Sequence, residues 1–279
     1  SDPDADRIGL VIRDNNGEYV LINGNQIVMI FLNYLMTRNT ELGTLTGNEY
    51  IVKTIVTTET IRTIAEAQHI KMYDCFTGFK WIANVMRENE GKARYLGGGE
   101  ESYGFLAEDF VRDKDSVSAI SLMAEIAAWA KDKGLNMTDM LIDIYMKYGF
   151  SREKGISLVR KGKSGAEEII ALMKQFRENP PKEIAGSPVV TVKDFQSLVE
   201  TNVATGETKK LDMPATSNVL QYYTADRTKV SVRPSGTEPK IKFYIEVHDT
   251  LASADEYKAT EARADEKINR IAKEFGITK

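Results

Sequence analysis

A segment rich in proline and glycine divides this chain into two parts with different patterns. The segment RENPPKEIAGSP contains Pro180, Pro181, Gly186 and Pro188, and it breaks every regular helical or strand period. Strands alternate with helices before this segment, whereas strands predominate after it. Because 279 residues exceed a typical single domain, the sequence predicts two domains, each with its own core.

The first part has the pattern of an α/β domain. Strands are predicted at IGLVIRD, at IVKTIVTT and at Arg94 to Leu96, and helices at QIVMIFLNYLMTR, with Asn25 as a candidate N-cap, and at FKWIANVMREN. Asp115 and Thr138 are candidate N-caps for two further helices, which end near Gly134 and Gly149. Strands that alternate with helices predict a mostly parallel sheet.

The second part is expected to be a smaller α+β domain. Strand-like runs are found at VVTVKDF, NVLQYYT, KVSVR and KIKFYIEV. A charged helical pattern then extends from Ser253 to about Gly276.

Composition excludes several classes of protein. The formal net charge of -4 argues against a general nucleic-acid binder that works by charge. A single cysteine, Cys75, excludes an intramolecular disulfide. No apolar run is long enough to span a bilayer and no signal-peptide pattern begins the chain, so we expect a cytoplasmic protein that binds neither membrane nor nucleic acid.

The segment RPSGTEPK has the residue types of an anion-binding turn between two strands. Arg233 supplies a planar fork of donors, Ser235 and Thr237 supply hydroxyls, and Gly236 lets backbone N–H groups approach a ligand closely. These donors suit a tetrahedral phosphate. An ordinary hairpin whose arginine faces solvent is the alternative.

The chain opens with SDPDADRIG, in which Asp2, Asp4 and Asp6 occupy alternate positions before a strand. Alternate side chains of an extended backbone share a face, so three carboxylates can converge on Mg²⁺. An EF-hand is excluded because its sixth position requires glycine, where this chain has Arg7. An acidic, frayed terminus is the alternative, although a cation beside a metal cluster favours a phosphoryl ligand.

Two further segments carry polar residues next to glycine. In GGGEESYG, Glu100 and Ser102 can point the same way toward sugar hydroxyls, and three glycines leave the backbone exposed and free. In TGFK, Lys80 stands at the start of a helix, where the helix dipole opposes it, so a phosphate is a suitable partner. A flexible glycine turn and a solvated lysine are the respective alternatives.

Taken together, DPDADR, TGFK, GEESYG and RPSGTEPK occur in the order found in the α-D-phosphohexomutases, the phosphoglucomutase and phosphomannomutase family. Longer stretches such as TGFKWIANVM and SVRPSGTEPKIKFYIEV also resemble family sequence. The resemblance implies a mixed-sheet α/β domain 3 followed by a smaller α+β domain 4. The implied boundaries are 1–17 for the metal-binding loop and the tail of domain 2, 18–182 for the sugar-binding domain 3, and 183–279 for the phosphate-binding domain 4.

The resemblance also implies a role for each site residue. Asp2, Asp4 and Asp6 are expected to hold Mg²⁺ with Arg7 beside them, and Lys80 to act as general acid or base. Glu100 and Ser102 are expected to bind the sugar hydroxyls. The phosphate that is not transferred is expected to lie against Arg233, Ser235, Gly236 and Thr237.

The implied activity is the reversible transfer of phosphate between C1 and C6 of a hexose phosphate, through a phosphoserine and a bisphosphorylated sugar. The implied cofactors are Mg²⁺ and, as activator, glucose 1,6-bisphosphate or mannose 1,6-bisphosphate. A pentose phosphate or an aminosugar phosphate is the alternative substrate. A non-catalytic protein that binds sugar phosphates is the alternative to an enzyme.

One part of the family pattern is missing from these residues. The family serine belongs to a Thr-x-Ser-His-Asn-Pro loop, and the nearest segment here, Ser217-Asn218, lacks the histidine and the proline. We therefore expect a C-terminal fragment whose partners are the missing N-terminal domains of the same enzyme. Such a fragment is expected to be inactive alone and to bind Mg²⁺ weakly or not at all.

Overall fold

A computed structural model describes residues 1–160, 162–236 and 238–278 of the chain. Contacts between segments divide them into two compact units, one of Ser1–Phe150 with Leu251–Ala254, the other of Ser151–Thr250 with the segment that begins at Asp255. This division places residues 151–182 in the second unit. The ranges 1–17, 18–182 and 183–279 are kept as proposed family domains.

The first unit alternates strands and helices as the sequence predicts. Its elements in chain order are β1 (Leu10–Arg13), β2 (Tyr19–Ile22), α1 (Gly24–Glu41), β3 (Glu49–Thr54), α2 (Thr60–Ala67), β4 (Lys71–Cys75), α3 (Phe79–Asn89), β5 (Arg94–Gly99), β6 (Phe105–Ala107), α4 (Ser116–Asp132) and α5 (Met137–Tyr148). The main sheet has the order β4-β3-β5-β6, and β1 pairs with β2 in a separate antiparallel hairpin. Strand β3 runs parallel to β4 and β5, whereas β6 is antiparallel to β5. The expected mixed-sheet α/β domain is confirmed.

The sheet of the first unit is buried between helices. Every residue of β3 is buried, which is typical of a central parallel strand that is covered on both faces. Phe31 of α1 packs edge-to-face on Phe105 of β6 with ring centroids 4.7 Å apart. Ile82 of α3 packs with Val52 of β3 in one buried apolar cluster. Each fully buried side chain of this size contributes about 1.5–3 kcal/mol relative to an exposed one.

The parallel strands bring two of the sequence motifs to one edge of this sheet. Strand β4 ends at Cys75 and is followed by TGFK, and β5 ends at Gly99 and is followed by Glu100. The carboxyl ends of parallel strands lie at the same edge, where ligands of α/β proteins commonly bind.

The three glycines of GGGEESYG form buried strand rather than an exposed, free turn, so that expectation is wrong. A Cβ on Gly98 would lie 2.6 Å from the carbonyl oxygen of Val52, and one on Gly99 would lie 2.6 Å from Cγ2 of Val28. Strand β3 and helix α1 therefore approach β5 so closely that a side chain at Gly98 or Gly99 would not fit.

The helix N-caps agree with the sequence in part. Asp115 caps α4, as predicted, by accepting hydrogen bonds from the N–H groups of Val117 and Ser118. Helix α1 is capped by Asn23, whereas the side chain of Asn25 accepts a hydrogen bond from the N–H of Thr58. Helix α5 is capped by Asn136 rather than by Thr138. Both errors are shifts of two residues within a segment that offers several capping side chains.

The second unit is an α+β domain built on one sheet, as expected. Its elements are β7 (Phe150–Val159), α6 (Gly162–Glu178), β8 (Glu183–Ile184), β9 (Ser187–Asp194), β10 (Val199–Asn202), β11 (Thr208–Lys210), β12 (Leu220–Thr224), β13 (Lys229–Pro234), β14 (Lys240–Asp249) and α7 (Tyr257–Glu274). The sheet order is β11-β10-β9-β12-β13-β14-β7, and β8 pairs with β9.

One face of this second sheet is apolar and packs against the two helices. Phe243 of β14 makes edge-to-face contacts with Phe176 of α6 and with Phe275, which follows α7.

Within the residues that the structure describes, no helix of either unit combines the length and the apolar composition that a membrane crossing requires.

Candidate functional site

The DPDADR segment pairs directly with the loop that follows β5. Arg7 and Gly104 form an antiparallel bridge, and the N–H of Ile8 donates to the carbonyl oxygen of Tyr103 at 3.2 Å. The loop closes on itself because the N–H of Glu100 donates to the carbonyl oxygen of Gly104 at 2.9 Å. Two motifs that are about ninety residues apart in sequence are thus joined by backbone contacts.

The carboxylate of Glu100 joins a third motif to these two. Its Oε1 accepts a hydrogen bond from the N–H of Gly78, in TGFK, at 2.7 Å. Burial raises the pKa of this carboxyl, while the Gly78 hydrogen bond and the positive charges of Lys114 and Arg7 act in the opposite direction. Three of the four sequence motifs therefore meet at one buried acid.

Lys80 lies at the start of α3, two residues after the Gly78 that binds this acid, where the sequence predicted it. Gly78 precedes the helix with φ of 109°, a conformation that favours glycine. The ammonium of Lys80 is exposed and lies 5.4 Å from the ring centroid of Trp81. No ion pair of Lys80 is found in the described part of the chain, so its charge is available to a ligand.

Lys114 fastens the DPDADR segment to the same loop. Its Nζ lies 2.8 Å from Oδ2 of Asp6 and 3.4 Å from Oδ1 of Asp113. Burial opposes the charged form, but the bonds to these two carboxylates raise the pKa of Lys114. A Cβ on Gly104 would lie 2.6 Å from Cδ of Lys114, so a larger residue there would displace the lysine side chain from its present path.

The three aspartates do not form a metal site in this arrangement. Oδ1 of Asp2 accepts hydrogen bonds from the N–H groups of Asp6 and Arg7 at 3.2 Å each, and these bonds outweigh desolvation and lower the pKa of Asp2. Oδ1 of Asp6 is buried, lies 3.7 Å from Nε of Arg7 and has no hydrogen-bond partner among the residues that the structure describes. Asp4 is exposed.

Across the described ranges, no group of three or more His, Cys, Asp or Glu side chains is arranged to hold a metal ion. The oxygen donors have the chemistry that Mg²⁺ prefers, but the carboxylates do not converge.

Glu101 was not singled out from the sequence, but its side chain holds the loop in place through two hydrogen bonds. Its Oε2 accepts hydrogen bonds from the hydroxyls of Thr54 and Thr57 at 3.1 and 3.3 Å. Burial and the neighbouring Glu100 raise the pKa of Glu101. Of the two predicted sugar-binding residues that flank Glu101, Glu100 is buried and Ser102 is half-buried.

The end of helix α1 packs against the same loop. A Cβ on Gly24, the first residue of α1, would lie 2.1 Å from the carbonyl oxygen of Glu101 and 2.9 Å from the backbone nitrogen of Tyr103. Only glycine allows the helix to approach so closely. Such a contact between distant segments leaves no pattern in a sequence.

The RPSGTEPK loop lies in the second unit, between β13 and β14. The N–H of Ser235 donates to the carbonyl oxygen of Lys240 at 2.8 Å, and the N–H of Arg160 donates to that of Pro239 at 2.9 Å. Lys240 pairs with Glu238, and this interaction lowers the pKa of the glutamate. Arg233 and Ser235 are half-buried and Gly236 is exposed, whereas Thr237 lies outside the described residues.

Two family models match the chain over most of its length. The alpha/beta/alpha domain III of phosphoglucomutase/phosphomannomutase matches residues 23–148, and the C-terminal domain of the same family matches residues 177–264. The chain belongs to the phosphoglucomutase/phosphomannomutase family. The resemblance drawn from the four motifs is thereby confirmed.

Named relatives of this family include bacterial phosphoglucomutases. The chain is 36% identical over 245 residues to a phosphoglucomutase of Staphylococcus epidermidis. The matched region covers 88% of this chain and 44% of the relative. A phosphoglucomutase of Staphylococcus haemolyticus is 34% identical over 248 residues. The chain thus spans less than half the length of these curated relatives.

Solved structures of the family share the fold. The open form of parafusin, a phosphoglucomutase from Paramecium, matches with a TM-score of 0.58 and 16% identity over 97% of this chain and 45% of that one. An N-acetylphosphoglucosamine mutase from Aspergillus fumigatus, solved with GlcNAc-6P and magnesium, matches with a TM-score of 0.51 and 13% identity over 98% of this chain and 50% of that one. At such identities the likeness concerns the fold alone.

Proposed function

We propose that this chain supplies the sugar-binding and phosphate-binding domains of a phosphoglucomutase, which moves phosphate reversibly between C1 and C6 of a hexose phosphate. The observation that carries the proposal is the meeting of DPDADR, TGFK and GEESYG at Glu100. The names of the staphylococcal relatives favour glucose phosphate as substrate.

In the first unit we assign sugar recognition to Glu100 and Ser102. A carboxylate accepts hydrogen bonds from sugar hydroxyls and a serine hydroxyl both accepts and donates, which suits a sugar that binds in two opposite orientations. Burial raises the pKa of Glu100. A sugar hydroxyl that donates to its carboxylate would add a hydrogen bond that favours the charged form.

Lys80 is the proposed general acid or base. Lys80 belongs to the segment in which the N–H of Gly78 binds Glu100. Its ammonium has no ion pair in the described structure. Held near the reacting hydroxyl as the neutral amine, Lys80 would take a proton as that oxygen attacks, and as the ammonium it would return the proton to the leaving oxygen on reversal. Arg7 is proposed to stabilise the transferring phosphoryl group by its charge.

In the second unit we assign the phosphate that is not transferred to Arg233, Ser235, Gly236 and Thr237. A guanidinium fork, hydroxyls and an exposed backbone donate to a phosphate from several sides. Phosphate held at one end leaves the other end of the sugar free to react, and release followed by rotation presents the second end.

Mg²⁺, a bisphosphorylated sugar activator and the phosphoserine belong to the proposal for the whole enzyme. Asp2, Asp4 and Asp6 would hold the ion, which when bound supplies charge neutralisation at the transferring phosphate. Because these carboxylates do not converge here, we expect weak or no Mg²⁺ binding by these residues alone. We also expect that this chain alone does not turn over a hexose phosphate, because no Ser-His-Asn-Pro segment occurs in this sequence.

Amide shifts measured by NMR test the proposal. We expect glucose 1-phosphate and glucose 6-phosphate to shift the N–H of Gly78, since a sugar on Glu100 competes with its hydrogen bond. Ribose 1-phosphate and N-acetylglucosamine 6-phosphate are titrated in parallel and should give smaller shifts. A larger response to either would transfer the assignment to the pentose or aminosugar alternative, and no response at Gly78 to any of them would refute the sugar site.

A further inference from the structure

A fully buried lysine lies near the carboxyl end of β3, among charged partners. The side chain of Lys53 has no exposed surface, and its Nζ lies 3.0 Å from Oε1 of Glu59. The same Nζ lies 2.8 Å from Oδ1 of Asp74, near the end of β4. A lysine is rarely buried in full unless carboxylates and hydrogen bonds compensate for the loss of water.

The two carboxylates also bind a second cation, Arg62 of α2. Nε of Arg62 lies 3.1 Å from Oε2 of Glu59, and its Nη2 contacts Oδ2 of Asp74. Each carboxylate therefore bridges both cations, and the four side chains form a closed ring without net charge. Lys53 is the buried cation of this ring, and Arg62 is the partly exposed one. Loss of either cation leaves the same two carboxylates short of one positive charge.

Lys53 also binds the turn at residues 54–57, which holds the GEESYG loop. Its Nζ donates to the carbonyl oxygens of Thr54 and Thr57 at 3.4 Å each. The hydroxyls of both threonines donate to Oε2 of Glu101, and Oγ1 of Thr57 accepts the N–H of Glu101 at 3.2 Å. One turn thus connects the buried ammonium to the loop that carries the proposed sugar contacts.

The same turn is joined to the strand that leads into TGFK. The N–H of Ile55 donates to the carbonyl oxygen of Cys75, the residue after Asp74, at 2.9 Å. Within the part of the chain that the structure describes, Arg62 makes no hydrogen bond to the turn. The two cations of the ring therefore have equal charge but different contacts, since only Lys53 binds the turn.

We propose that Lys53 is a positioning residue of the sugar site. Its ammonium fixes the turn at residues 54–57, the turn fixes Glu101, and Glu101 keeps the neighbouring Glu100 within reach of a sugar hydroxyl. This inference rests on the proposed function of Glu100. Lys53 acts through this chain of hydrogen bonds, because its side chain is fully buried. Without the ammonium, two carbonyl oxygens of the turn lose a charged donor, and the loop can shift.

Hydrogen exchange of the ligand-free chain, followed by NMR, tests the positioning directly. The N–H of Glu101 reports the contact between loop and turn. In Lys53→Met its exchange should become about tenfold faster relative to the amides of β3, the effect of a lost hydrogen bond to a charged group. Arg62→Met is the matched control, because it removes the same charge from the same ring, and it should leave this relative rate unchanged. Equal changes in both variants would overturn the inference.

Calorimetric titration of the whole chain measures the consequence for binding. In Lys53→Met the affinity for glucose 6-phosphate should fall about tenfold, the effect of one lost bond between a sugar hydroxyl and the carboxylate of Glu100. Inorganic phosphate has no sugar and should bind as it does to wild type. An unchanged ratio of the two affinities would contradict the role of Lys53. A wild type that binds glucose 6-phosphate no better than phosphate would refute the sugar site itself, and the exchange of the Glu101 N–H would still decide whether Lys53 positions the loop.

A double variant separates the lost hydrogen bonds from the unbalanced charge. Lys53→Met leaves two carboxylates with one cation, which destabilises the fold. Lys53→Met combined with Glu59→Gln restores a ring without net charge and should unfold at a higher temperature than Lys53→Met alone. Fast exchange at Glu101 and weak sugar binding should remain in the double variant, because the turn still lacks its donor. Recovery of the wild-type exchange rate would mean that charge balance alone holds the loop, and the inference would fail.

Discussion

Replacement of Gly24 by alanine tests how closely helix α1 approaches the sugar-binding loop. The added Cβ would lie 2.1 Å from the carbonyl oxygen of Glu101 and 2.9 Å from the backbone nitrogen of Tyr103. Non-bonded carbon contacts are favourable near about 3.5 Å, so the helix end or the loop must move by roughly 1 Å or more. Both neighbours are backbone atoms, which cannot rotate aside as a side chain would.

Two effects of opposite sign determine the result. Alanine in place of glycine in a helix gains at most about 1 kcal/mol, whereas overpacking costs typically about 1–3 kcal/mol. We expect the steric cost to be the larger and Gly24→Ala to be less stable than wild type by about 1–2 kcal/mol. Because Glu100 and Ser102 lie on the displaced loop, the same shift should also weaken the binding of sugar phosphates.

Urea denaturation followed by circular dichroism measures the first effect, and calorimetric titration with glucose 1-phosphate measures the second. Gly9→Ala is the matched control, because a Cβ there has no atom within 4 Å, and its stability and affinity should equal those of wild type. Equal or greater stability of Gly24→Ala, relative to wild type, would refute the close approach.

Three further predictions concern single side chains. Asp115→Ala removes the N-cap of α4 and should lower the free energy of unfolding in urea by about 1 kcal/mol; no loss would mean that the cap contributes nothing. The raised pKa of Glu101 means that the folded chain binds the extra proton, so the stability of wild type should fall as pH rises above the unfolded value of 4.5. Glu101→Gln lacks this titration, so the unfolding temperature of the variant should rise relative to that of wild type as the pH increases from 4.5 to 8. A difference in unfolding temperature that does not change with pH would contradict the assignment. Lys114→Met removes a positive charge beside Glu100 and should raise the pKa of Glu100 further, measurable by carboxyl carbon NMR; an unchanged pKa would show that Lys114 does not act on it.

The sequence predicted those parts of the fold that depend on local pattern. The pattern FKWIANVMREN coincides with α3, and Asp115 caps α4 as expected, because helical spacing and a capping side chain are properties of a few consecutive residues. The alternation of strands and helices also predicted the mostly parallel sheet of the first unit. Both structures follow from short-range chemistry.

The parts that could not be predicted depend on contacts between distant segments. Three consecutive glycines, Gly97–Gly99, indicate a flexible turn when seen alone, but close neighbours from β3 and α1 make them strand residues. Arg233 lies opposite Lys242 because of the register of β13 and β14, which a turn of uncertain length leaves open.

The motifs predicted the candidate site residues, and the geometry shows which of them lie close together. Glu100 and Lys80 lie at the meeting of three motifs, which spacing alone did not place together. Asp2 shares its alternation with Asp4 and Asp6, yet its carboxylate is used by backbone N–H groups of its own loop. A pattern of alternate carboxylates therefore indicates donors that are suited to a cation, and the loop conformation determines whether they converge.

The most direct test of the central claim is calorimetric titration of the chain with glucose 1-phosphate and glucose 6-phosphate, beside Arg233→Ala. The claim is that the RPSGTEPK loop holds the phosphate of a hexose phosphate in either orientation. We expect both sugars to bind, each to displace the other, and Arg233→Ala to abolish both interactions while the unfolding temperature of the ligand-free chain remains that of wild type. Absence of binding by wild type, or undiminished binding by Arg233→Ala, would contradict it.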